Sequence, residues 1–401
     1  MRKSYMRIPY TDVLASPTTI PRTATSISGA VTALQEFFQA PLANASPPTV
    51  VLTGAGISVA SGLADYRGPQ GTYRVNKTYR PIYYHEFLQN HEARKRYWAR
   101  SFLGWTTLLN AKPNAGHYAI KQLGDMGLVQ NVITQNVDSF HSKAHPLLPT
   151  IELHGYLRSC VCISCHEELP RHTFQNELAR LNPAWAAFLQ EILASGALDT
   201  ENPDERREKG LRTNPDGDVD LPDAPYTTFR YPPCPKCLVA PPLMTDGSRA
   251  RVEADADGAL LSTSTGGVLK PAVVMFGENI RPSIKIAAEQ ILENAGSLLV
   301  LGTSLATYSA WRLAKKAKDR GIPIAIVNLG GVRGEETFFA DLDPSQRGNQ
   351  GLRVELSTDE LLPALVEQLR QTSNLKASAK NPDPVPSTER HGALGFKDLM
   401  S

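Results

Sequence analysis

Apolar and polar residues follow two different periods along this chain. Four short, mostly apolar runs are rich in β-branched residues: Thr49 to Thr53, Val129 to Thr134, Ser297 to Leu301 and Ile322 to Leu329. Such runs, bounded by glycine or polar residues, read as strands buried on both faces of a parallel sheet. Beside them, apolar positions recur at helical spacing. Val31, Leu34, Phe37 and Phe38 do so within Ile27 to Gln39, and Ile284 to Glu293 and Ser309 to Arg320 read the same way. Strands alternating with helices predict an α/β fold, a Rossmann-like parallel sheet covered on both faces. The strands end in Gly54-Ala55-Gly56, Gln135-Asn136-Val137-Asp138, Gly302-Thr303-Ser304 and Asn328-Leu329-Gly330. Ligands of such sheets bind outside the carboxyl ends of the strands, so these four polar tails are expected at one crevice.

The rhythm breaks between Ser159 and Gly266, a stretch with all the cysteines, several prolines and a charged segment from Asp199 to Asp223. It reads as a smaller module, residues 159–266, inserted into a Rossmann-like domain made of 28–158 and 267–371. The first 27 residues carry Arg2, Lys3, Arg7 and Arg22 among many Ser and Thr and read as a disordered or transit segment. A mitochondrial matrix address fits that composition; nuclear or cytoplasmic location is the alternative. From Thr372 the chain is polar again, and residues 372–401 read as a disordered tail.

Composition adds exclusions. A net charge of +2 over 401 residues gives no ground for nucleic acid as a direct partner. No apolar run approaches the roughly 20 residues of a membrane-spanning helix. Five cysteines in a chain this long are not a disulfide framework. Cys162-Ile163-Ser164-Cys165 and Cys234-Pro235-Lys236-Cys237 are two C-x-x-C pairs. Each can present two thiolates on one side of a tight turn, which suits one tetrahedral structural Zn²⁺ with no position left for water. Cys160 is a weaker candidate by spacing.

Other single motifs decide less. Gly54-Ala55-Gly56-Ile57-Ser58 resembles a phosphate-binding turn, but Val59 stands where a third glycine would complete G-x-G-x-x-G. His154, in Glu152-Leu153-His154-Gly155, is a general base or a structural histidine. Asn136 and Asp138 at a strand end fit a turn as well as a site.

Taken in order, the motifs carry more. Gly-Ala-Gly-Ile-Ser, Asp65-Tyr66-Arg67-Gly68, Thr134-Gln135-Asn136-Val137-Asp138, His154-Gly155, the two C-x-x-C pairs and Gly302-Thr303-Ser304-Leu305 follow one another along the chain. This series resembles the sirtuin family over about residues 28 to 370. Arg80-Pro81-Ile82, Arg96-Tyr97-Trp98-Ala99-Arg100, Leu181-Asn182-Pro183-Ala184-Trp185 and Pro215-Asp216-Gly217-Asp218-Val219 are similar to its class II, the mitochondrial sirtuin-4-like group.

The resemblance implies an NAD-dependent lysine deacylase that consumes NAD⁺ and releases nicotinamide and O-acyl-ADP-ribose. Its partners would be acyl-lysine proteins; protein ADP-ribosyl transfer at the same site is the alternative. By similarity His154 is the general base and Asn136 acts with it. Gly54, Ala55 and Gly56 face the pyrophosphate, and Asp65, Tyr66 and Arg67 belong to a loop closing over the cofactor. Ile57, Asn136 and Asp138 surround the carboxamide, and Gln135 holds the nicotinamide ribose. Gly302, Thr303, Ser304, Asn328, Gly330 and Thr358 line the adenosine end. Val274, Met275, Phe276, Gly277 and Glu278 form the edge that receives an extended substrate peptide, with the Val274 carbonyl accepting its side-chain amide. The chain departs from the pattern at Ala272, where an acid is usual, and in an insertion from Leu238 to Thr265. Tyr73 and Arg74 are adjacent, so they do not make the Tyr-x-x-Arg pair of members that take acidic acyl groups.

Overall fold

The computed structural model describes residues 14–43, 47–76, 79–196, 212–214, 217–221, 223–342 and 349–380. In chain order the strands are β1 (Thr49–Thr53), β2 (Val129–Thr134), β3 (Thr150–Glu152), β4 (Gly155–Cys162), β5 (Glu168–Pro170), β6 (Arg212–Thr213), β7 (Val219–Asp220), β8 (Leu269–Val273), β9 (Ser297–Leu301), β10 (Ile324–Val327) and β11 (Gly351–Val354). A six-stranded sheet has the order β11-β10-β9-β1-β2-β3, and its neighbours pair in parallel. All five residues of β1 are buried, as are all of β9 and β10. Their side chains divide between two cores, because successive residues of a strand point to opposite faces. Val51, Val132, Leu299 and Val327 meet helices Ile27–Ala43, Ala115–Asp125 and Thr358–Lys380. Val50, Leu52, Leu298, Val300 and Ile326 meet helices Pro282–Glu293 and Tyr308–Asp319. The strand order runs one way from β1 through β2 to β3 and the other way from β9 to β11. This reversal beside β1 is the topological switch point at which such sheets open a crevice.

A second, antiparallel sheet has the order β5-β4-β8 and shares a core with the cysteines. That core contains Phe174, Leu178, Trp185, Phe229 and Tyr231, together with Phe87, Trp98, Phe102 and Leu103. The helices Tyr84–Gln89 and His91–Asn110 therefore pack on the cysteine module, although the sequence reading placed them in the 28–158 part of the large domain. Trp98 lies 4.5 Å from Phe174 between ring centroids, and Phe102 lies 5.8 Å from Phe229. Amphipathic periodicity marks which face of a helix is buried, but it carries nothing about which layer covers that face.

Both ends of the chain also depart from expectation. Ile20 bridges to Arg353 on the edge strand β11, and Ala24 is fully buried, so these two residues of the supposed disordered or transit segment pack on the domain. The last helix continues to Lys380, past residue 371. Residues 1–13, most of the charged segment 199–223, and 381–401 lie outside the described residues. Among the described residues, no helix is long and apolar enough to cross a membrane.

Candidate functional site

A cavity of about 1510 Å³ opens at the carboxyl ends of β1, β2, β9 and β10. Ala55 and Gly56 reach it from β1, Gln135, Asn136 and Asp138 from β2, Gly302, Thr303 and Ser304 from β9, and Asn328 and Gly330 from β10. Asp65, Tyr66 and Arg67 enter from the loop before Gly71, His154 from the turn between β3 and β4, and Thr358 from the start of the last helix. Val274, Met275, Phe276, Gly277 and Glu278 follow β8 along the opposite wall. Two of the candidate residues stand behind the lining. Ile57 is a core residue, 1% exposed, whose carbonyl accepts from Asn114 Nδ2 at 2.7 Å. Gly54 packs on Thr303, where a Cβ would lie 2.5 Å from the threonine Cβ.

The glycine turn is a crossing of two strand ends as much as a cradle. Gly54 N–H donates to the Leu301 carbonyl at 3.1 Å, and Gly56 N–H donates to the Gly302 carbonyl at 2.8 Å. These two donors are engaged by the β9 end, so the glycines give β9 its approach and open a wall that no side chain obstructs.

Asn136 and Asp138 are held by one serine. Asn136 Nδ2 donates to the Gly54 carbonyl at 3.0 Å and to Ser58 Oγ at 3.1 Å, and Ser58 Oγ donates to Asp138 Oδ2 at 2.7 Å. Asp138 Oδ1 accepts the Phe140 N–H at 2.9 Å. Burial raises the Asp138 pKa, while those two donors act to lower it. Each carboxylate oxygen keeps a second lone pair for an amide N–H.

His154 is half-buried at the cavity wall. Its Nδ1 lies 3.1 Å from the Gln135 carbonyl and its Nε2 lies 2.8 Å from Ser309 Oγ. Enclosure by protein pushes its pKa down to about 4, with the Gln135 carbonyl acting to raise it. The ring is therefore neutral at pH 7 and able to take a proton. The same turn ties the base to the opposite wall, since the His154 carbonyl accepts the Val274 N–H at 2.7 Å. Lys270 Nζ braces that wall, donating to the Val273 carbonyl at 2.6 Å and pairing with Glu278 Oε2 at 3.2 Å.

Sequence reading missed several neighbours. Ser58 was in view only as part of the glycine turn. Thr307 and Ser309 open the helix Tyr308–Asp319, which was read only as a helix. Arg100, on helix His91–Asn110, and Asp218, just before β7, also line the cavity, paired at 2.6 Å. Behind the site His141 bonds Thr53 Oγ1 at 2.8 Å and His145 Nε2 at 2.9 Å, with the His117 ring tilted against it at 5.0 Å between centroids. No local motif marks that cluster, because its members come from three elements.

The four cysteines form a separate centre. Cys162 and Cys237 sulfurs are 3.6 Å apart, those of Cys165 and Cys234 are 3.7 Å apart, and all four lie within 4.8 Å of one another. A tetrahedron with Zn–S bonds of about 2.3 Å has edges of about 3.8 Å. The donor set fits structural zinc. Cys160 is buried away from the cluster in the core, its thiol pushed up to about 12 by burial.

An NAD-binding crevice at a sheet switch point, beside a four-cysteine zinc centre, defines the class of protein. The Sir2 family model matches residues 54–309, and the chain belongs to that family. It is 41% identical over 292 residues to the NAD-dependent protein deacylase SIR4 of Batrachochytrium dendrobatidis, which covers 72% of this chain and 83% of that one. It is 35% identical to the NAD-dependent protein deacylase Sirt4 of Drosophila melanogaster, covering 75% of this chain and 80% of the relative. A Sir2 homologue solved with ADP-ribose superposes with a TM-score of 0.53 at 23% identity, over 85% of this chain and 97% of the other, a likeness of fold.

Proposed function

We propose that this chain removes acyl groups from protein lysine side chains with NAD⁺ as co-substrate. One observation carries the reading: a neutral histidine, an amide–carboxylate pair and a strand edge for a peptide meet in one cavity. Relatives at 33–41% identity described as deacylases, deacetylases or a lipoamidase support it. NAD⁺ when bound supplies the ADP-ribosyl carbon that accepts the acyl oxygen as nicotinamide leaves. Asn136 and Asp138 orient the carboxamide, Gln135 the nicotinamide ribose, and Ala55 and Gly56 the pyrophosphate. Gly302, Thr303, Ser304, Asn328, Gly330 and Thr358 hold the adenosine end, and Asp65, Tyr66 and Arg67 close over it. The residues Val274 to Glu278 align the substrate peptide. His154 Nε2 then takes the proton of the attacking ribose hydroxyl, a role worth roughly 10²–10⁴ in rate.

The same reading places the large domain at 28–158 and 267–371 with helices 84–110 lent to the zinc module, 159–266. A mitochondrial location belongs to it as well. A bovine relative at 33% identity is described as mitochondrial, and the first residues are basic. Since Ile20 and Ala24 pack on the domain, any cleavage would fall before Ile20.

The test incubates the protein and its His154→Ala variant with NAD⁺ and peptides carrying acetyl, crotonyl, lipoyl or succinyl lysine, followed by mass spectrometry. Deacylated peptide with O-acyl-ADP-ribose from wild type alone is the expected result. Nicotinamide release with ADP-ribose attached to protein instead would replace deacylation by ADP-ribosyl transfer.

A further inference from the structure

The first turn of the helix Tyr308–Asp319 holds two hydroxyls that do not serve the helix. Thr307 is its N-cap residue with extended backbone, φ −74° and ψ 135°, yet makes no side-chain capping bond. Threonine at that position ordinarily accepts a backbone N–H of the first turn. Here its Oγ1 donates instead to Gln135 Oε1 at 3.0 Å. The other end of that amide donates to Thr303 Oγ1 at 2.9 Å and to the Thr53 carbonyl at 3.1 Å, so Gln135 is fixed on both sides. Two residues on, Ser309 Oγ meets His154 Nε2 at 2.8 Å.

The protons in this ring of contacts follow from chemistry. A carbonyl oxygen only accepts, so the nitrogen facing the Gln135 carbonyl, His154 Nδ1, carries the proton. In the neutral ring Nε2 then bears the lone pair, and the Ser309 hydroxyl donates to it. Turning the ring about its bond to Cβ moves both nitrogens, so two contacts hold it more firmly than one. A hydroxyl also serves either protonation state, donating to the lone pair and accepting from the N–H of the imidazolium. Nε2 has one lone pair, so Ser309 holds the ring ready in the ligand-free protein and gives that lone pair up to the ribose hydroxyl as its proton is transferred. It then accepts from the imidazolium N–H.

We infer that Ser309 is a positioning residue for the His154 base and that Thr307 does the same for Gln135, so that one helix start aligns the base with the ribose holder. This rests on the assignment of His154 as base. Loss of the hydroxyl lowers the rate of the base-dependent step without altering cofactor binding or nicotinamide departure, which precedes it. Because the hydroxyl serves both protonation states, the loss is a fall in rate across the pH range and leaves the acid limb where it was.

The experiment compares Ser309→Ala, Ser309→Pro and Ser309→Thr with wild type and with His154→Ala. Proline is tolerated in the first turn of a helix, so the second variant removes the hydroxyl by a different route. Deacylation kcat should fall roughly ten-fold in the Ala and Pro variants and recover in Thr. The KM for NAD⁺ and the rate of nicotinamide exchange should stay within about two-fold of wild type. In the ligand-free protein labelled with ¹⁵N-histidine, the Nε2 resonance absent from His154→Ala should move in Ser309→Ala and return in Ser309→Thr. An unmoved resonance, or exchange falling together with turnover, overturns the inference while leaving the base assignment intact. Full turnover in His154→Ala instead removes the base itself, and the inference goes with it.

Discussion

Gly56 and Gly302 cross with no room between them for a side-chain atom. A Cβ on Gly302 would lie 2.5 Å from the Ile57 nitrogen, and one on Gly56 would lie 2.8 Å from the Gly302 carbonyl oxygen. Gly302 is also left-handed, at φ +57°. The contact joins the ends of β1 and β9, the two strands flanking the switch point, and so sets the floor of the crevice.

Gly302→Ala should cost more than about 3 kcal/mol, since strain and a clash with backbone combine. Gly330 is the control: it is left-handed at φ +80°, but a Cβ there would meet nothing within 4 Å. Gly330→Ala should cost only about 1–2 kcal/mol. Denaturant titration of the two variants decides; equal midpoints would mean the crossing yields at little cost.

The cysteine cluster should carry one zinc per chain by elemental analysis. Cys162→Ser, or a strong chelator, should release it and melt the core around Phe174, Trp185 and Phe229, with turnover lost. Metal content unchanged in Cys162→Ser would remove that residue from the ligand set.

His117, His141 and His145 should make the fold acid-labile. Burial lowers all three, His117 to about 3, and each ring lies near another histidine. Their folded values lie below the unfolded value of about 6.5. Between those limits the unfolded chain binds more protons, so stability falls as pH drops below 6.5. Each histidine contributes a slope of up to about 1.4 kcal/mol per pH unit in its window. Melting temperatures at pH 7.5 and 5.5 should differ by several degrees, and His145→Ala should narrow the gap. Equal melting temperatures at the two pH values would contradict the neutral cluster.

Arg100 and Asp218 close the cavity between helix His91–Asn110 and the segment before β7, and their side chains are 7% and 17% exposed. Removing one partner strands a buried charge. Arg100→Ala should destabilise by about 3–5 kcal/mol, and Arg100→Met with Asp218→Leu should recover much of it. If the double variant is as unstable as the single, the loss is one of packing around Arg100 and not of charge pairing.

The sequence by itself determined the parallel sheet, because fully buried strands leave an unbroken apolar run that polar tails must end. It also determined the zinc ligands, whose short spacing is a local property of two turns. Gln135, Asn136, Asp138 and His154 were legible through the order of their motifs, and each of them reaches the cavity. Only the tertiary structure decided that helices 84–110 cover the zinc module, since a buried helical face does not name its cover. It alone removed Ile57 from the lining, showed that the glycines serve the β1–β9 crossing, and packed Ile20 and Ala24 against the domain. Ser309 and the Arg100–Asp218 pair were out of reach for the same reason. Their partners lie about 120 to 155 residues away in the chain, and contacts at that separation follow from how layers stack, which no local pattern encodes.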